Sequence, residues 1–152
     1  MNPPMTYSTA GEALTEQFEG CKLAAYQDQK GVWTIGYGHT ADVKEGDTCT
    51  QSQAAQWLMQ DIQIAVDAVN RLVTTDLTQP EFNSLVDFCF NLGAGNFEGS
   101  TLLKLLNAGN ITGAAAEFDK WDHCGGQVVA GLLRRRQAET DEFLSSATGV
   151  DS

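Results

Sequence analysis

Apolar residues along this 152-residue chain recur at steps of three and four through most of its length, with one interruption in the first third. Ala10, Leu14 and Phe18 form the first such stripe, behind a Thr9-Ala10-Gly11-Glu12 segment with the spacing of a capping box. A helix ending near Cys21 is predicted. From Leu23 to Thr48 the periodicity lapses into Gly, Tyr, Val, Thr and polar residues, with Gly31, Gly36, Gly38 and Gly46 at turn or close-approach positions, which predicts a small β-hairpin region. Thr50-x-x-Gln53 reads as a second capping box. Behind it Ala54, Trp57, Leu58, Ile62, Ala65, Val66, Val69 and Leu72 predict one long helix over about 51–73, with Trp57 in the core. Thr78-Gln79-Pro80-Glu81 opens a further helix by cap and early proline. It carries Phe82, Leu85, Val86, Cys89 and Phe90 and stops at Gly93. Short helices are predicted over 100–107, with Gly109 as the stop, and over 111–121. A loop His123-Cys124-Gly125-Gly126 then precedes a last helix from near Gly131 to about Ser145 and a polar tail.

This order predicts an α+β protein in a single domain. A small β lobe over about 23–50 and a larger helical lobe, about 9–21 with 78–146, are joined by the long helix, with a cleft between the lobes. The first helix is expected to return to pack with the C-terminal helices. The chain is long enough to bury one substantial core, and a hydrophobic content of 42% with three Trp and seven Phe predicts an ordered globule.

Charge narrows the functional classes. Nine Lys and Arg against 20 Asp and Glu give a formal charge of −11, and a nucleic-acid partner needs a positive face to meet phosphate. The first residues, Met1-Asn2-Pro3-Pro4-Met5-Thr6, lack the basic and apolar regions of a leader, and no apolar stretch has the length of a membrane span. No stable membrane association is therefore expected. Cys21, Cys49, Cys89 and Cys124 form no C-x-x-C pair and lack the histidine spacing of a structural zinc site, so no metal is expected. Four free thiols are the expectation. Cys89, in an apolar run, reads as a small buried hydrophobe, while Cys21, two residues after Glu19, is placed to modulate activity if oxidised.

Glu19, Asp28 and Thr34 carry the candidate chemistry. Cleaving a glycosidic bond needs one protonated carboxyl to donate to the leaving oxygen and an ionised one to direct a nucleophile or support an oxocarbenium-like transition state. Glu19 falls in the last turn of the first predicted helix, where the negative end of the dipole disfavours its ionised form and favours the acid role. Each residue also has an ordinary reading: an exposed helical Glu, a turn Asp that bonds its own neighbouring amides, and a strand-forming Thr. The spacing Glu19-x8-Asp28-x5-Thr34, followed by Ile35-Gly36-Tyr37-Gly38-His39, favours the joint functional reading.

That pattern closely resembles the catalytic signature of the phage-type lysozymes, glycoside hydrolase family 24, many of which are bacteriophage endolysins. Phe90-Asn91-Leu92-Gly93, residues 100–107, Trp121 and Gly131-Leu132-Leu133-Arg134-Arg135-Arg136 extend the resemblance over roughly residues 8–146. The resemblance implies a bilobal lysozyme-like fold with peptidoglycan in the cleft. It also implies hydrolysis of the β-1,4 bond between N-acetylmuramic acid and N-acetylglucosamine without a cofactor. Glu19 would be the general acid, Asp28 would position water or stabilise positive charge, and Thr34 would hold that water, an arrangement that favours inversion.

Gly38 and Phe90 are expected at the cleft wall, although Phe90 equally suits the core. His39 is expected to be structural, as its counterpart in the family is. The run Arg134-Arg135-Arg136 reads either as the solvated face of a helix or as the source of one guanidinium that pairs with Glu19, and Arg135 is the choice for the latter. The resemblance further implies an endolysin held in the host cytoplasm until a holin releases it to the wall in the periplasm; the oligomeric state is open, with a monomer as the default expectation. A lytic transglycosylase and a non-catalytic wall-binding module are the rivals, and the presence of all three signature residues speaks against both.

Overall fold

The computed structural model describes residues 3–124 and 127–145. The chain divides into two compact units. One is Thr15–Gln63, and the other joins residues up to Leu14 with those from Ile64 onward. Two helices belong to both: α1 (Thr9–Glu19) and α2 (Gln51–Leu72).

In the unit Thr15–Gln63, α1 hands over to β1 (Lys22–Gln27) at Gly20, whose φ of +66° is the left-handed conformation that glycine adopts without steric cost. β1 pairs antiparallel with β2 (Trp33–Gly36), setting Tyr26 opposite Thr34 and Lys22 opposite Gly36 with an irregularity between. The far edge of β1 is occupied too. Ala24 bridges Thr48, and the amides of Ala25 and Cys49 donate to Asp47 O and Leu23 O at 2.9 Å each. Thr50 Oγ1 then accepts the Gln53 amide at 3.1 Å, the expected cap of α2. Gly36, at φ +65°, lies where an added Cβ would stand 3.1 Å from Ala54 Cβ, so a glycine lets β2 approach the helix.

In the other unit, α3 (Gln79–Leu92) runs through the core, with every residue from Pro80 to Cys89 buried. Its capping box is complete: Glu81 N donates to Thr78 Oγ1 and Thr78 N to Glu81 Oε1. α4 (Ala94–Glu98), α5 (Thr101–Asn107), α6 (Ile111–Glu117), a 3₁₀ turn Phe118–Trp121, the short strands β3 (His123–Cys124) and β4 (Gln127–Val128), and α7 (Ala130–Ser145) complete it. Phe88 meets Phe97, Phe118 and Trp121 edge-on at centroid distances of 5.3–6.3 Å. Phe118 in turn meets Phe143 of α7.

Several sequence expectations need correction. α1 is capped by Ser8, whose Oγ accepts the Gly11 amide at 3.4 Å, not by Thr9, and it ends at Glu19. α4 was not anticipated, because Gly93-Ala94-Gly95 reads as a breaker although Gly93 at φ +96° only turns the chain between two helices. The predicted helix over 111–121 tightens into 3₁₀ geometry at Phe118. Part of the loop after Trp121 pairs as β3 and β4, with Gly125 and Gly126 outside the described residues. The polar tail beyond Ser145 likewise lies outside them.

Candidate active site

Glu19 is the last residue of α1 and is partly buried. The Gly36-Tyr37-Gly38 turn reaches it from the sheet side. A Cβ built on Gly38 would stand 3.2 Å from Glu19 Oε1, and φ there is +86°. A side chain at position 38 would therefore be strained and would crowd the carboxylate. The motif's second glycine keeps that face of Glu19 open.

Asp28 closes the β1–β2 hairpin, and its ordinary reading as a turn residue is realised. Its Oδ1 accepts the amides of Lys30 and Val32 at 2.8 and 2.9 Å, and its backbone pairs with Val32 O and with Gly31 N. Those bonds fix the direction of an exposed carboxylate. Thr34, opposite Tyr26 on β2, is buried, and its hydroxyl donates to Val32 O at 2.9 Å. Val32 thus orients both residues, through its amide for Asp28 and its carbonyl for Thr34.

His39 bridges Ile35 through two backbone hydrogen bonds of 2.9 Å, and its Nδ1 lies 2.8 Å from Asp61 Oδ2. Its ring stacks on Trp57 at 4.5 Å with the planes 5° apart. These bonds hold a buried ring in place, the structural role expected of it. Trp57 differs from expectation, being half-buried and stacked on His39 because the hairpin region supplies a flat partner for one face of the indole. Tyr37 accepts a 2.6 Å hydrogen bond from Gln51. Burial, then the nearby Glu16 carboxylate, push its phenol above the ordinary value.

Phe90 and Arg135 belong to the other unit. Phe90 is half-buried on α3. Arg135 is buried and holds Asp87 in a two-pronged contact, Nε to Oδ2 at 3.0 Å and Nη2 to Oδ1 at 2.9 Å. Beside it Arg136 contacts Asn91 and Glu139 at 2.8 Å, with its guanidinium 5.2 Å from the Phe88 ring centre. Burial, and then the neighbouring Asp87, raise the Glu139 carboxyl well above its usual range, with the two guanidiniums opposing. Spacing alone did not expose this network. A buried charge looks like any other charge in sequence, and an arginine run reads as a solvated face.

A helix-to-hairpin junction presenting a glutamate, a turn aspartate and a strand threonine is the arrangement of a lysozyme-type glycosidase. The chain belongs to the phage lysozyme family, whose model matches residues 16–139. It is 41% identical over 146 residues to the endolysin of Acyrthosiphon pisum secondary endosymbiont phage 1, covering 93% of this chain and 100% of that one. It is 42% identical over 144 residues to the endolysin of Bacillus phage B103, again over 93% of this chain but 55% of that longer protein. The chain thus spans about half the length of the Bacillus phage endolysin. Among solved structures, the muramidase domain of SpmX from Asticaccaulis excentricus superposes with a TM-score of 0.87 at 43% identity, over 91% of this chain and 97% of that one.

Proposed function

We propose that this chain is a phage endolysin, a muramidase that hydrolyses the β-1,4 bond between N-acetylmuramic acid and N-acetylglucosamine in peptidoglycan. The observation that carries the residue roles is the Thr34 hydroxyl, whose proton is committed to Val32 O. It therefore meets a water molecule only as an acceptor. Asp28, ionised and held by two amides, is an acceptor as well. A water that gives one proton to each of these groups keeps a lone pair aimed elsewhere, which is what a nucleophile at the anomeric carbon requires.

Glu19 donates its proton to the glycosidic oxygen as that bond breaks. Water attacks the opposite face, and its proton passes to Asp28. Exchange with solvent then resets both carboxyls. A bound water between carboxylate and sugar corresponds to inversion of configuration. Gly38 lends its backbone beside Glu19 to the sugar, and half-buried Phe90 carries over as a proposed sugar contact, whereas Arg135 does not, its guanidinium being buried against both oxygens of Asp87. The biological setting in this reading is host lysis at the end of the phage cycle, by a monomer released from the cytoplasm to the periplasmic wall through holin lesions. The endolysin relatives support that setting.

The test is Glu19→Gln on purified peptidoglycan. Turnover should fall by at least about 100-fold, the usual contribution of a positioned general acid, with the unfolding midpoint little changed. Wild-type products should carry a hydrated reducing end in the mass spectrum. Near-parental turnover by the variant would refute the acid assignment, and an anhydro sugar would refute hydrolysis.

A further inference from the structure

We infer that Tyr26 contacts the substrate as the aromatic platform for the N-acetylmuramyl ring whose anomeric carbon is attacked, a role that rests on the proposed water site at Asp28 and Thr34. The hairpin register places it there. Tyr26 in β1 is the direct partner of Thr34 in β2, and the next pair, Gln27 with Trp33, follows without irregularity. Residues opposite each other in an antiparallel pair project to one face of the sheet, with Cβ atoms about 4.5–5.5 Å apart. Successive residues alternate between faces. The Tyr26 side chain therefore shares a face with Thr34, and Trp33 takes the other.

Exposure sets the two partners apart. Thr34 is 4% exposed, whereas Tyr26 is 38% exposed. The Tyr26 hydroxyl has no hydrogen-bond partner, and its ring no aromatic or cationic partner, among the described residues. Nearby aromatics are engaged within the fold: Trp57 is stacked on His39, and Tyr37 is bonded to Gln51. A large aromatic left this open forgoes much of the burial that stabilises such side chains. Its ring is free to meet a ligand.

Sugar chemistry supplies the partner. In a β-linked ring of the gluco series the substituents are equatorial, so the C–H bonds at C1, C3 and C5 are axial and point to one face. That face lies opposite the glycosidic oxygen, and an inverting water approaches from it. The electron-rich face of a phenol ring attracts such slightly positive C–H groups. Tyr26 thus meets the C3 and C5 side of the sugar, while the water held by Asp28 and Thr34 lies under C1. Ring and water share one face of the sheet and one face of the substrate.

The probe is a purified tetrasaccharide of alternating N-acetylglucosamine and N-acetylmuramic acid, added to the full chain carrying Glu19→Gln so that it binds without being cleaved. Saturation-transfer NMR with irradiation of the protein's aromatic protons should mark the protons on C3 and C5 of a muramyl ring. Adding Tyr26→Leu should abolish those signals and weaken binding by about 3–10-fold, with the unfolding midpoint little changed. Tyr26→Phe, which keeps the ring, should restore the signals and most of the affinity. Signals that survive Tyr26→Leu, or that are lost in Trp33→Leu instead, would overturn the platform. Full-strength binding by the Tyr26→Leu protein would overturn it as well. Cleavage of the tetrasaccharide by the Glu19→Gln protein would refute the acid role of Glu19 and leave the aromatic contact to be read on the product sugars, so the two ideas fail separately.

Discussion

Replacing Asp87 with alanine tests how α3 and α7 are held together. Arg135 donates to both oxygens of Asp87 at 2.9–3.0 Å, and the two side chains are 6% and 0% exposed. The substitution leaves a guanidinium without the carboxylate that met two of its N–H groups. Glu139 Oε2 stands 3.8 Å from Arg135 Nε, too far to replace those bonds. Breaking a buried pair from one side costs about 3–5 kcal/mol, because the remaining charge keeps its desolvation penalty. With a urea slope of roughly 2 kcal/mol per molar, the midpoint should fall by about 1.5–2.5 M. Asp87→Asn keeps one oxygen acceptor and should lose less. Asp87→Ala with Arg135→Met removes both charges and should recover much of the loss, since apolar replacement of a buried pair is often neutral. Urea titration at pH 7, followed by circular dichroism, measures the wild type, these three variants and Arg135→Met alone. A single-variant loss below about 1 kcal/mol, the scale of an exposed pair, would refute the reasoning. So would a double variant as weak as the sum of the singles.

The raised Glu139 carboxyl has a pH signature: its contribution is fully present below the unfolded pKa and is lost as pH rises toward the folded value. The stability of the wild type relative to Glu139→Gln should therefore decline from about pH 5 upward, and a flat difference in urea titrations across pH would contradict the shift. Thr78→Ala removes the hydroxyl from a complete capping box and should cost about 1 kcal/mol, with Thr78→Ser close to wild type in thermal unfolding. With a formal charge of −11 facing an anionic wall, lysis of sacculi should quicken as monovalent salt rises from very low levels, because the screening length shrinks from about 30 Å at 0.01 M to about 10 Å at 0.1 M. A steep monotonic fall in initial rate would show that a local positive patch governs binding instead.

Periodicity in the sequence determined α2, α3 and α5 nearly to the residue, because their apolar stripes agree with their caps at Thr50, Thr78 and Ser100. Spacing also determined which three residues to group, since Glu19, Asp28 and Thr34 stand at a helix end, a hairpin turn and a strand that follow one another closely in the chain. Local rules reach that far because the interactions behind them lie within a few residues. Tertiary structure decided the rest. It alone showed that Gly38 clears space beside Glu19 and that Val32 orients Asp28 and Thr34 together. It also laid Trp57 against His39 and drew Arg135 and Arg136 of the arginine run into a buried network with Asp87 and Glu139, leaving Arg134 exposed. Those outcomes depend on which distant segment supplies the neighbour. The same arginine is a solvated surface charge or a core ion pair according to whether a carboxylate from another helix meets it away from water.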